Sequence, residues 1–150
     1  MTLDPDFRES FGTLNARKVR YMVVGGYALA HHGAPRYTGD IDVWVDGTAS
    51  NSERVVEALA AYGFASLSLD PLTFAVPNVV VQLGYPPLRI DIMTTPSGVA
   101  FDSCYQHKVS VSSGNVDVDV IGIECFRANK AASGRDKDRA DLEALGGETP

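Results

Sequence analysis

The chain has 150 residues, 45% hydrophobic and 21% charged, with a formal net charge of −6; that composition suits one folded core and leaves no room for a second large domain. The acid excess argues against a passive nucleic-acid sheath, which needs a dominant basic face, and no run approaches the roughly 20 apolar residues that span a bilayer. Cys104 and Cys125 are too few and too isolated for a disulfide framework or a zinc site, and the opening Met-Thr-Leu-Asp-Pro-Asp lacks the basic and apolar regions of a signal peptide, so a cytoplasmic, reduced protein is expected.

In chain order, Phe7, Phe11 and Leu14 recur at helical spacing and predict a helix over 7–17. Residues 20–24 form a strand that ends on Val23-Val24. Gly25 and Gly26 then make a turn in which backbone can approach a ligand without a side chain in the way. A short helix follows over 27–32, its bare N-terminal amides facing the glycines, until Gly33 and Pro35 end it. Residues 40–45, Asp-Ile-Asp-Val-Trp-Val, alternate as a strand does. A helix over 51–62, capped by Ser50 or Asn51, turns Val55, Val56, Leu59 and Ala60 inward and stops at Gly63. Short strands are expected at 73–76, 79–83 and 89–93, and a hairpin at 108–112 and 116–121 across Ser113-Gly114-Asn115. Two closing helices, 124–133 and 136–145, precede a frayed tail at 147–150. The sum is a single α/β (α+β) domain over residues 1–146, a mixed curved β-sheet with helices mainly on one face.

The chemistry concentrates early in the chain. Period-two geometry puts Asp40 and Asp42 on one face and Ile41 and Val43 on the other. Two acids beside a turn that can cradle phosphate can hold a divalent metal against a nucleotide. Asp91 is a third acid, in a strand otherwise apolar at Ile90 and Ile92; burying it needs a reason, whether metal ligation or a salt bridge to Arg89 or Arg36. Asp117 and Asp119 repeat the Asp-x-Asp pattern in the hairpin, where ordinary alternation of a half-exposed strand accounts for them. His31 and His32 sit where capping or packing explains them. Trp44 shares the parity of Asp40 and Asp42 and borders the site or belongs to the core. Lys130 and Lys137 could neutralise a triphosphate or a departing pyrophosphate, with Asp138 and Asp141 holding basic side chains in place.

The run from Val23 to Val43, with Gly25-Gly26, Arg36, Thr38, Asp40 and Asp42, resembles the signature of the polymerase-β-type nucleotidyltransferase superfamily. Within it the chain is similar to the small bacterial AbiEii toxin-like and minimal nucleotidyltransferases. Their Arg-x-Thr-x-Asp-Ile-Asp run is matched here, and their closing Lys, Gly-Arg and Lys-Asp-x-x-Asp-Leu elements are matched at Lys130, Arg135, Lys137, Asp138, Asp141 and Leu142. The resemblance implies a nucleotidyltransferase fold and a two-metal enzyme that moves NMP from an NTP to an acceptor hydroxyl on an RNA end such as tRNA, a protein or a small molecule. It implies Asp40, Asp42 and Asp91 as the catalytic, metal-binding acids for Mg²⁺ or Mn²⁺, and Gly25, Gly26, Arg36, Thr38, Lys130 and Lys137 as nucleotide-binding residues. It also implies a place in a toxin–antitoxin system, with a homodimer or a toxin or antitoxin partner completing the site and no membrane. The alternative is a catalytically inactive nucleotide-binding or protein-interaction module, antitoxin-like in role.

Overall fold

The computed structural model describes residues 3–33, 39–85, 88–96 and 98–146. The chain starts with helix α1 (Pro5–Ala16), whose first turn is fixed by Asp4 accepting the Asp6 amide at 2.9 Å and by Pro5 at the first helical position. Phe7, Phe11 and Leu14 make its buried stripe. Strand β1 (Tyr21–Val24) is buried at every position, and helix α2 (Gly25–His31) follows it directly. Next come strand β2 (Asp40–Val45) and helix α3 (Ala49–Leu59). The cap of α3 is Thr48, whose hydroxyl accepts the Asn51 amide at 3.3 Å, and not Ser50 or Asn51. Asn51 is buried and serves the sheet instead, donating to the carbonyls of Arg20 (3.1 Å) and Asp46 (2.8 Å) and accepting the Arg20 amide.

Strands β3 (Val80–Tyr85) and β4 (Leu88–Met93) form an antiparallel hairpin, as do β5 (Val109–Ser113) and β6 (Val116–Val120). The short helix α4 (Phe101–Tyr105) lies between them, and helices α5 (Ile123–Ser133) and α6 (Asp136–Ala144) close the chain. The six strands run in the order β3-β4-β2-β1-β6-β5. The β1–β2 pair is antiparallel, whereas β2–β4 and β1–β6 are parallel. The sheet is therefore mixed, with β2 and β1 at its centre. One face carries Val43, Ile90 and Ile92 against Phe11 and Leu14 of α1 and Ala58 and Leu59 of α3. Burying this apolar layer supplies the main driving force for the fold. The other face carries the acids.

Besides the α3 cap, two expectations change, and one helix appears that the sequence did not announce. Residues 73–76 are not a strand: Thr73–Ala75 is a single 3₁₀ turn. The buried Ser52 hydroxyl accepts the Phe74 amide at 2.9 Å and donates to the Pro71 carbonyl at 2.8 Å, so the segment is tied to α3 and Phe74 fills the core. Helix α4 has no periodic signal of its own and forms because Phe101 docks on Trp44, with ring centroids 5.2 Å apart. Cys104 and Cys125, expected to stay unpaired, are joined by a disulfide with Cα atoms 5.9 Å apart; packing of α4 beside α5 brings together two cysteines that sequence distance keeps separate.

Candidate active site

The polar centre of the sheet is built by register. In the parallel β2–β4 pair Asp42 stands opposite Asp91, and Asp40 opposite Arg89. Residues that pair directly share a face, so three carboxylates and one guanidinium converge there. Arg89 holds two of the acids. Its Nη2 donates to Asp40 Oδ2 at 2.6 Å and to Asp91 Oδ2 at 3.3 Å, while Nε donates to Asp91 Oδ1 at 3.0 Å. Asp91, only 8% exposed, thereby has the charge partner that its burial requires.

Asp42 is different. Among the described residues no donor is hydrogen-bonded to its carboxylate. Burial pushes its pKa up to about 6, and the neighbouring Asp91 pushes in the same direction. On the β1 side Asp42 pairs with Val24, and the chain turns immediately afterwards at Gly25, whose φ is +68°. A Cβ on Gly25 would collide with Asp42 Oδ2. The glycine therefore has two reasons to be there, a left-handed backbone and a carboxylate pressed against it. Gly26 lies buried in the first turn of α2.

Helices α5 and α6 add the basic side. Lys130 is 6% exposed and lies 3.2 Å from both Asp138 Oδ1 and Asp141 Oδ2. Arg135 closes on Asp138 through Nε at 2.8 Å, and its amide also donates to that carboxylate at 3.2 Å. Burial alone would raise the Asp138 pKa, but the hydrogen bonds from Arg135 and Lys130 outweigh it and hold the group below the ordinary carboxylate range. Asp138 and Asp141 thus hold the basic side chains in place. Lys137 and Lys130 both act electrostatically on Asp42, Lys137 the more strongly. Because Lys137 is exposed and Lys130 is enclosed between two acids, Lys137 has its charge available for a ligand.

The remaining candidates scatter. Arg36 and Thr38 lie outside the described residues. Trp44 is core, donating from Nε1 to the Thr94 carbonyl at 3.1 Å. His32 packs, its Nε2 2.8 Å from the Ile121 carbonyl oxygen. Asp117 accepts from Ser112 at 2.9 Å, and Asp119 lies 3.7 Å from Lys108, both acids on β6 of the β5–β6 hairpin. Arg89 is the residue that sequence reasoning weighed only as a salt-bridge partner. Its signal was the i,i+2 spacing to Asp91, which places both on one side of a strand.

Carboxylate oxygens are the hard donors that Mg²⁺ or Mn²⁺ takes. Asp42 and Asp91 fit such a cation, since their mutual repulsion is what a divalent charge would relieve. Yet among the described residues no three His, Cys, Asp or Glu side chains stand close enough together to hold a metal ion. Arg89 already binds Asp40 Oδ2 and both Asp91 oxygens, so a metal would share these two carboxylates with it.

No protein-family model matches the chain, and no curated protein matches it by sequence. Solved structures do match in shape. The Thermotoga maritima protein TM1012, provisionally called a nucleotidyltransferase, superposes with a TM-score of 0.60 at 16% identity, over 91% of this chain and 88% of that one. The chain has the nucleotidyltransferase fold. An antigenic nucleotidyltransferase-like protein of Paracoccidioides brasiliensis matches at a TM-score of 0.56 and 13% identity, over 92% of this chain and 71% of its own. The lincosamide antibiotic adenylyltransferase LnuA, solved with lincomycin bound, gives a TM-score of 0.56 at 13% identity, over 97% of each chain. In this nucleotidyltransferase fold the Gly25 turn and the Asp42–Asp91 pair sit side by side at the centre of the sheet. Among the described residues no helix is long and apolar enough to cross a membrane.

Proposed function

We propose that the chain is a metal-dependent nucleotidyltransferase that moves NMP from an NTP to an acceptor hydroxyl. The observation that carries this reading is the register pair Asp42–Asp91, with Asp42 partly buried, not hydrogen-bonded by any described residue and pressed against Gly25. A part-buried carboxylate set beside a second one costs stability even though Arg89 neutralises Asp91, and that cost makes sense where a cation is recruited. The shared fold supports the same chemistry, LnuA being an adenylyltransferase.

Asp42, Asp91 and Asp40, the latter two shared with Arg89, would hold Mg²⁺ or Mn²⁺. When bound, such an ion supplies charge neutralisation at the phosphates and lowers the pKa of a coordinated hydroxyl. The chain's own residues do the rest. Arg89 fixes the Asp91 carboxylate through two hydrogen bonds and so orients it to accept the proton of the acceptor hydroxyl. Gly25 and Gly26 leave room for phosphate beside Asp42, where Arg36 and Thr38 complete the pocket in the resembling family. Lys137 offers positive charge to the departing pyrophosphate. Lys130, enclosed by Asp138 and Asp141, anchors the α5–α6 pair that carries it.

The narrower AbiEii-like assignment rests on the Arg36-x-Thr38-x-Asp40-Ile41-Asp42 run and the Lys137-Asp138-x-x-Asp141-Leu142 run. It brings a cytoplasmic toxin–antitoxin role, a tRNA, protein or small-molecule acceptor, and completion of the site by a second copy or a toxin or antitoxin partner. The test is calorimetric titration with each of the four NTPs, with and without Mg²⁺, on wild type and on Asp40→Asn/Asp42→Asn. Magnesium-dependent binding that vanishes in the double variant is expected. A second reading, a binding module without turnover, draws on Arg89 occupying Asp40 and Asp91; NTP binding indifferent to both Mg²⁺ and the substitutions would favour it.

A further inference from the structure

All three histidines of the chain, His31, His32 and His107, line one cavity of about 500 Å³. Its wall also contains Glu124 and Cys125. The volume falls within the roughly 300–1,000 Å³ typical of small-molecule sites. The cavity lies between the C-terminal end of α2, the end of α4 and the first turn of α5. Its frame is tight: a Cβ on Gly122 would strike the His107 carbonyl, and the His107 amide donates to the Cys104 carbonyl at 3.0 Å. Nothing in the proposed transfer chemistry uses this cavity.

The disulfide that borders it is lopsided. Cys104 is 1% exposed, among the core residues. Cys125 is partly exposed and lines the cavity. Thiol–disulfide exchange needs an attacking thiolate to reach one sulfur in line, so access decides which sulfur is struck. We propose that this cavity is a thiol–disulfide exchange site at which a low-molecular-weight thiol of the glutathione class attacks Cys125. The incoming thiolate forms a bond to Cys125 Sγ while the Cys104–Cys125 bond breaks. Cys104 leaves with the electron pair and takes up one proton, and Cys125 carries the mixed disulfide. A second thiolate then attacks the small thiol's own sulfur in that mixed disulfide, forming the oxidised small-molecule disulfide while the bond to Cys125 breaks and Cys125 leaves as the thiolate. The sum is a two-electron reduction of the protein by two thiols, and oxidised glutathione drives the reverse. The imidazoles on the wall can take the proton from the entering thiol.

The bond matters because it staples α4 to α5. The α4 residue Phe101 packs on Trp44 of β2, the strand that carries Asp40 and Asp42, and α5 carries Lys130. Opening the staple frees α5 from that frame.

The experiment uses the intact chain in its folded state, incubated with reduced glutathione, quenched by alkylation and mapped by peptide mass. Glutathione on Cys125, with the alkylating agent on Cys104 of the same molecules, is expected. Comparable adduct on Cys104, or no exchange in the folded protein, would overturn the proposal. Cys104→Ser should take one glutathione at Cys125 from oxidised glutathione, while Cys125→Ser resists until denatured; equal reactivity of the two variants also overturns it. Hydrogen exchange across α5 in the reduced wild type should quicken by about tenfold, as expected when a local closure is lost; unchanged exchange would overturn the staple. None of these readings depends on nucleotide chemistry, so they stand or fall apart from the transferase proposal.

Discussion

Two Asp-x-Asp pairs occur in this chain, and the sheet treats them differently. Asp117 and Asp119 sit on β6, between β1 and β5, each with an ordinary neighbour, Ser112 for one and Lys108 for the other. Asp40 and Asp42 sit on β2, between β1 and β4, where Asp42 meets a third acid across the ladder and a glycine turn on the other side. Each pair even has a glycine of positive φ nearby, Gly114 at +62° and Gly25 at +68°. The pattern within a strand is therefore common to both. What differs is the strand next door.

The largest contrast expected is catalytic. Asp42→Asn should reduce nucleotidyl transfer by about a thousandfold or more, equivalent to about 4 kcal/mol of lost transition-state stabilisation. Asp119→Asn should leave the rate within about twofold, since Asp119 is half-buried on β6, pairs with Lys108 and lies two strands away from β2. Steady-state kinetics on the two purified variants decides the matter, and equal losses would erase the distinction.

The glycines give the next contrast, in stability. Gly25→Ala combines a left-handed backbone, costing about 1–2 kcal/mol, with a collision against Asp42, so a total of about 3 kcal/mol is expected. Gly114→Ala meets only the flexible end of Arg8, at 2.9 Å from Nη1, and should cost about 1 kcal/mol. Urea titration of both variants measures the difference. Replacing Gly25 should also weaken NTP binding, whereas replacing Gly114 should not.

Acid titration sharpens the comparison without changing the backbone. In the folded state the Asp42 pKa is raised to about 6 from an ordinary value of 3.8. Between those values the folded protein binds more protons at this site than the unfolded chain does, so stability falls as pH rises through the window. In EDTA the melting temperature of Asp42→Asn, relative to wild type, should therefore climb from pH 4 to pH 6 and level off above. Added Mg²⁺ should restore the wild type selectively at the higher pH. A flat difference across that range would show that Asp42 titrates normally.

The smallest effect concerns the β6 pair. Lys108 lies over the Tyr105 ring, 4.8 Å from its centroid, as well as 3.7 Å from Asp119. Lys108→Ala should cost no more than about 1 kcal/mol and leave nucleotide binding unchanged in the calorimeter.

Much of this was legible because it depends on local periodicity. Phe7, Phe11 and Leu14 announced α1, the Asp40–Val45 alternation announced β2, and the valine-rich segments on either side of Gly114 announced the hairpin. The acids Asp40, Asp42 and Asp91 could be placed on one face of their strands from parity alone. Where local pattern misled, a distant partner was the cause. Residues 73–76 look like a strand but follow Ser52, and α4 has too few residues for a helical period and forms against Trp44. Lys130 and Lys137 looked nearly interchangeable in sequence; the buried acids of α6 enclose one and leave the other exposed.

The sequence by itself determined the strands and helices that bear the chemistry, the glycine turn, and which side of β2 and β4 the acids occupy, because side-chain direction alternates with period two whatever surrounds the strand. Only the tertiary structure decided that β4 lies parallel beside β2 with Asp42 opposite Asp91, that Arg89 bridges Asp91 to Asp40, and that Cys104 meets Cys125. Strand neighbours and cross-chain contacts depend on how whole layers pack to bury apolar surface, and that is a property of the assembled core rather than of any one segment.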